Sequence, residues 1–475
     1  MKKTIAISII ASALLFATNS DVTNLTTDYV NKINAESNID SSTVNQGKTD
    51  ITGSTVLNVD LKKLSTDKGN LINNVDIDGG STVDQARFII TDSNASGASA
   101  SDISIQSDNT IQNSDIKSGS TVKQTYTEIT NGSTVKQLDI ELTNIIEDIV
   151  TDGTSDQSDI NNATISQGTL TVNGASEVTA FTQKSIGNSM QNVDANDANL
   201  TQNSIIVTNS STITDFKNED GATDKPTNSM VAVTATNGAK VSQNTNTFND
   251  AQIDGLRTKQ ANSVESVDIA TNNIIQGNIE ITRSEVKDFD VEFTNTIKNV
   301  DITGEGTTEQ GVLIVTDSNG TGDADVATLD IKATNTLTDT DSDTSSIIQS
   351  KTSIIGSTGR SLVSGLALDH TNTIESSSAD ADPRDNNATK ATISQAETVI
   401  TDSTVDVMKQ TFVNDIKQVE ISDSTLSQGN TVITNSDVTN LTMTQTNTID
   451  SSTIRGGSTV TQGSTIIDGS TSSEG

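Results

Sequence analysis

Along most of the chain, apolar residues alternate with Thr, Ser, Asn and Gln at a spacing of two, and Val, Ile and Thr dominate the alternating stretches. That period, carried by β-branched residues, predicts short strands with one face turned inward. Between the stretches stand phrases such as Asp78-Gly79-Gly80-Ser81, Asn131-Gly132-Ser133 and Arg455-Gly456-Gly457-Ser458. Gly and Asn at such points supply the positive φ that tight turns require.

The alternation is organised by a longer repeat. An Asn is followed two residues later by an apolar residue, about fifteen later by a Gln, and five beyond that by a second apolar residue. The Asn falls at Asn31, Asn70, Asn109, Asn144, Asn188, Asn228, Asn262, Asn295, Asn335, Asn372, Asn414 and Asn447. The matching Gln falls at Gln46, Gln85, Gln124, Gln167, Gln202, Gln243, Gln276, Gln310, Gln349, Gln395, Gln428 and Gln462. Ten of the twelve Asn-to-Gln intervals are 14 or 15 residues, and the two of 23, after Asn144 and Asn372, read as loop insertions near 147–162 and 376–391. The position two before Gln is Val, Ile or Leu in every copy except the one carrying Thr308. Twelve apolar hits in one column arise by chance on the order of once in a million, which argues against a disordered chain. Gln428, Gln445 and Gln462 are spaced by 17 residues. Each unit of 33–44 residues is therefore expected to contain two coils, twelve of which pairs would stack to about 115 Å.

These features predict an all-β fold, a β-solenoid of about twelve 33–44-residue repeats over residues 31–470. Like residues would stack on like along its axis. Pro226 and Pro383 fall where the repeat is interrupted or lengthened, as strands paired on both sides demand. The recurring Asn and Gln then have two readings. They form buried ladders in which each amide satisfies the next, or they sit in solvated turns.

Composition narrows the function classes. The 475 residues include no Cys, no Trp, two Tyr, eight Phe and one His, so three ordinary cores cannot be filled. Disulfide frameworks and thiolate metal sites are excluded. The net charge of −35 opposes binding to nucleic acid. Residues 1–20, MKKTIAISIIASALLFATNS, have the lysines, apolar run and small polar end of a secretory signal peptide, with cleavage expected between Ala17 and Ser20. Losing Lys2 and Lys3 leaves 26 basic and 63 acidic residues, a charge of −37 on the exported chain. Residues 21–30 are a short lead and 471–475 a polar tail, with no further segment apolar enough to span a membrane. The product is expected to be secreted, extracellular or at the cell surface.

Secretion, scarce aromatics and Asn and Gln at repeated positions beside short strands make the chain resemble the curlin-type secreted functional amyloids. Curlin repeats carry Gln-x-Gly, whereas Gly here follows Gln directly, as in Gln46-Gly47, Gln167-Gly168, Gln276-Gly277, Gln428-Gly429 and Gln462-Gly463. The resemblance implies a stacking β-solenoid subunit of a matrix fibre and no catalysis.

Other chemistry is thinly represented. Asp339-Thr-Asp341-Ser-Asp343 places carboxylates at alternate positions, but no Gly or Glu follows at the offsets a calcium loop needs, and a solvated acidic loop is expected. Carboxylate pairs occur everywhere among 63 acidic residues and single out no glycosidase site. His370 has no Ser or Cys nucleophile motif to serve and is expected at the surface or in a turn. The Thr-x-Thr phrases, Thr442-Met-Thr444 among them, follow from strand propensity without invoking an ice-binding array. No catalytic residue, metal or cofactor is assigned.

The expected function is that of an acidic structural subunit that self-associates end to end, its charge keeping neighbours apart sideways. Acid or high salt should then promote bundling. The alternative is a monomeric adhesin or spacer stalk that binds a receptor or glycan through the insertions.

Overall fold

The computed structural model describes residues 3–4, 10–12, 15–18, 21–29, 31–47, 49–52, 55–63, 69–91, 103–147, 158–220, 228–236, 238–270, 273–303, 306–317, 326–343, 346–356, 361–380, 392–422, 424–455, 458–469 and 471–473. The chain divides into two units, Met1–Gln243 and Asn244–Gly475. Both are β-solenoids, with no helix among the described residues.

In the first unit the strand Ile103–Gln112 carries Asn109, and Thr121–Thr130 carries Gln124 on the opposite sheet. After a turn at Asn131-Gly132, Thr134–Glu147 returns to the first sheet and brings Asn144 in parallel beside Asn109. Thr121–Gln124 lies between Thr82–Gln85 and Thr164–Gln167, Gln opposite Gln on both sides. The second unit repeats the plan. Thr307–Gln310 lies between Asn273–Gln276 and Ser346–Gln349, while Glu285–Thr303, Val326–Thr338 and Ser361–Glu375 stack on the other sheet with Asn295, Asn335 and Asn372 in register.

Stacking neighbours are thus one whole repeat apart, and each repeat closes one coil. The expectation of two coils per repeat is corrected, and the rise per repeat is a single strand spacing of about 4.8 Å. The 17-residue spacing has another origin. Gln428 pairs with Gln462, whereas Gln445 sits on the other sheet opposite Phe412, so the half-repeat marks two sides of one coil.

Parallel in-register pairing stacks Val, Ile, Leu, Met and Phe on one another in the apolar inward columns. Val44, Val83, Val122 and Ile165 form one such stack, all fully buried. Phe88, Phe216, Phe248, Phe289, Phe293 and Phe412 enter the same core, where Phe248 meets Phe289 edge to face at 5.9 Å. A narrow coil filled by β-branched side chains requires few aromatics, which accounts for the composition.

The direction of the chain changes at fixed columns. The residue after each ladder Gln has φ between 49° and 70° in all twelve repeats, whether Gly47, Gly168 and Gly429 or Ala86, Thr125, Asn203, Asn244 and Ser350. A left-handed residue here places two successive side chains inside. Gly is the residue that adopts this without strain, hence the Gln-Gly phrases. At Gly429 space also counts, because a Cβ would lie 2.5 Å from Gln445 Oε1.

The segments assigned to leader, lead and tail carry strands. Ile10–Ser12 and Leu15–Thr18 pair with Val44–Gln46 and Thr49–Thr52, and Asp21–Tyr29 lies beside Thr55–Lys63. Thr471–Ser473 pairs with Asp437–Thr439. Both prolines and most of the two insertions, 148–157 and 381–391, lie outside the described residues.

Candidate functional site

The Asn and Gln columns converge on one strip of the core, and their amides are joined. In the first unit Asn70 Nδ2 donates to Asn109 Oδ1 at 2.7 Å, Asn109 to Asn144 at 2.7 Å, Asn144 to Asn188 at 2.8 Å and Asn188 to Asn228 at 2.8 Å. In the second unit Asn262, Asn295, Asn335, Asn372 and Asn414 each donate to the next, ending at Asn447, over 2.7–2.8 Å. Asn31 is in backbone register with Asn70.

The Gln column runs with the opposite sense. Gln85 Nε2 donates back to Gln46 Oε1, Gln124 to Gln85, Gln167 to Gln124, Gln202 to Gln167 and Gln243 to Gln202, at 2.7–2.8 Å. Likewise Gln310, Gln349, Gln395, Gln428 and Gln462 donate back along a line that starts at Gln276, at 2.7–2.9 Å. Asn amides therefore point their N–H groups toward the C-terminus and Gln amides toward the N-terminus. Aligned amides polarise one another, so reversing one member alone would set donor against donor.

The second N–H of the Gln amide is also used. Gln124 Nε2 reaches the carbonyl of Ile145 at 3.3 Å, Gln202 that of Ser229 at 3.3 Å and Gln349 that of Thr373 at 3.4 Å. In each case the acceptor is the residue after the ladder Asn of the next coil, so the Gln line ties one sheet to the other. Hydroxyls join where the left-handed column allows. Thr125 Oγ1 accepts from Asn109 at 2.7 Å and donates to Asn144 Oδ1 at 2.9 Å, and Ser350 bridges Asn335 and Asn372 at 2.8 and 2.7 Å. These bonds hold a β-branched Thr at φ 49°.

A column of buried serines escapes the sequence reading. Ser176 Oγ accepts from the backbone N–H of Ser133 at 3.2 Å and donates to the carbonyl of Asn173 at 2.8 Å, and Ser211 accepts in turn from Ser176 N–H at 3.2 Å. Ser436 does the same for Ser403. The signal is a Ser eight or nine residues after the ladder Gln, as at Ser133, Ser176, Ser211, Ser403 and Ser436; only the stacking shows that it is buried.

His370 is not at the surface or in a turn. It stands inside the core, 1% exposed, stacked between Ala333 and Phe412, with its ring 5.4 Å from that of Phe412. Neither ring nitrogen has a hydrogen-bond partner, and burial pushes its pKa down to about 3. The acidic run also departs from expectation. Asp339 occupies a left-handed corner, and Asp341–Asp343 is a strand paired with Ser378–Asp380. Among the described residues no group of His, Asp and Glu could hold a metal ion. At the Asp78-Gly79 turn, hydrogen bonds from Ser118 and from the Gly79 N–H hold the Asp78 carboxyl below its usual range.

The coil that carries Gln462 is open on one side. Val460 and Ile467 are 39% and 52% exposed, although Leu426 and Ile433, the residues they stack on, are buried. Its amides end the lines: Gln462 Oε1 receives no donor and Asn447 Nδ2 reaches no acceptor among the described residues. Compared with known proteins, the chain matches no family model, and no curated protein is similar to it.

Proposed function

We propose that the chain is a secreted, acidic structural protein whose copies stack end to end into an extracellular fibre or matrix. What supports this reading is the in-register stacking of coils, in which the coil that carries Gln462 presents the same Asn and Gln columns that hold each earlier coil to its neighbour. Its Gln462 oxygen and Asn447 amide N–H are what a further coil's Gln nitrogen and Asn oxygen would meet, so the two lines favour head-to-tail addition over joining two like ends. Gln46 Oε1 accepts from Gln85, and its nitrogen donates to the carbonyl of Leu71 at 3.4 Å. Removal of residues 1–20 would take away the strands beside Val44–Gln46 and Thr49–Thr52 and free that edge. The charge of −35, reaching −37 after export, favours thin fibres over sheets.

Negative-stain microscopy of the chain without residues 1–20 tests this. Long thin filaments are expected, and Val460→Lys with Ile467→Lys should shorten them to single particles without altering the β spectrum. Wild-type protein that stays as separate particles at high concentration would overturn fibre assembly.

A further inference from the structure

The core of the coil that opens the second unit is polar where the following coil is apolar. Asn244, Asn246, Thr258 and Gln260 are each at most 4% exposed. Neither side-chain polar atom of Asn244, Asn246 or Gln260 has a hydrogen-bond partner, nor has Thr258 Oγ1. Their columns show that they face a common space. Asn246 is in register through Ile279, Leu313 and Thr352 with Thr398. Thr258 is in register through Val291, Ile331 and Leu368 with Gln410. Where the two columns carry Thr398 and Gln410, the side chains meet across the core at 2.8 Å. Gln260 stacks above Phe293, and Asn244 holds the left-handed position beside the Asn line. The following coil places Ile279, Val291 and Phe293 beneath them, an apolar floor with nothing to donate or accept.

Three amides and a hydroxyl buried over such a floor each cost stability unless something supplies donors and acceptors. A cation would serve the oxygens and leave the NH2 groups unmet. A neutral guest that both donates and accepts serves both, and the smallest is water. We propose that this coil encloses an internal hydration site, a cluster of one to three ordered waters held by Asn244, Asn246, Thr258 and Gln260. Each water of about 30 Å3 needs two to four polar partners, and seven unmet atoms provide for about that number. The proposal is independent of fibre assembly, since the site is internal to one coil.

Water-17O relaxation dispersion counts long-lived internal waters and can be run on the wild-type chain beside a variant carrying the next coil's residues, Asn244→Gly, Asn246→Ile, Thr258→Val and Gln260→Phe. The expected result is a loss of one to three slowly exchanging waters, with Tm unchanged or raised. Equal water counts would overturn the site. If the variant does not fold, a wild-type density map that resolves waters decides the matter. Peaks within hydrogen-bond distance of these four side chains support the proposal; an empty core, or one peak touching only oxygens as a cation would, refutes it.

Discussion

Two coils of this protein carry polar side chains in the same core columns and treat them differently. In the coil of Gln124, the left-handed residue Thr125 has both hydroxyl functions met by Asn109 and Asn144. In the coil of Gln243, the equivalent Asn244 meets nothing in the chain, and neither does Asn246 or Gln260. Burial is the same. The difference is whether the neighbouring coil repeats the residue or offers a complementary group. A buried amide in a parallel, in-register stack is satisfied when its neighbours are alike, and it is orphaned when they are apolar.

The sharpest way to break the comparison is to make the first coil resemble the second. Gln124→Leu removes the acceptor of Gln167 and the donor to Gln85, orphaning one group on each side. At about 1–3 kcal/mol per orphaned group, the loss should reach about 2–6 kcal/mol in denaturant unfolding. An unchanged midpoint would show that the line contributes nothing to stability.

His370 tests the orphaned case from the other side, because its neighbours Ala333 and Phe412 are apolar and its pKa is about 3 in the folded chain. With an unfolded value near 6.5, its neutral form is the one that fits. Stability linked to it is complete above pH 6.5 and falls as the pH drops toward 3. The loss at pH 4 should be on the order of 3 kcal/mol. His370→Leu should remove that slope between pH 6.5 and 4, whatever the carboxylates add. A wild-type slope that persists in the variant would assign it to the acidic surface.

The smallest effect is expected at the corners. Ser176→Ala takes a hydroxyl from the buried Ser133 N–H and from the part-buried Asn173 carbonyl, so one buried group is orphaned where Gln124→Leu orphans two. A cost of about 1–3 kcal/mol is expected for that one group, and hydrogen exchange at the Ser133 amide should quicken. A loss as large as that of Gln124→Leu would erase the distinction between corner and core.

Much of the fold is legible in the sequence. Period-two alternation marked the strands, and the Asn and Gln columns gave the repeat and the residues that stack, from Asn70 to Asn447 and Gln46 to Gln462. What misled was the 17-residue spacing of Gln428, Gln445 and Gln462. Periodicity reports that two segments are alike, and Gln445 resembles its neighbours while lying across the core from them. His370 was misplaced for a related reason. A single polar residue in an alternating run has the same pattern on either side of the sheet, and only its register with Ala333 and Phe412 fixes the side.

The sequence by itself determined that like residues recur at a fixed interval in short β-branched strands, because local chain preference and side-chain period are properties of neighbouring residues. Tertiary structure alone decided that one repeat makes one coil, that the Asn and Gln lines run in opposite senses, and which polar side chains are left without a partner. Those outcomes depend on what lies one full turn away, at 33–46 residues' separation, where hydrogen-bond direction and burial are set by stacking.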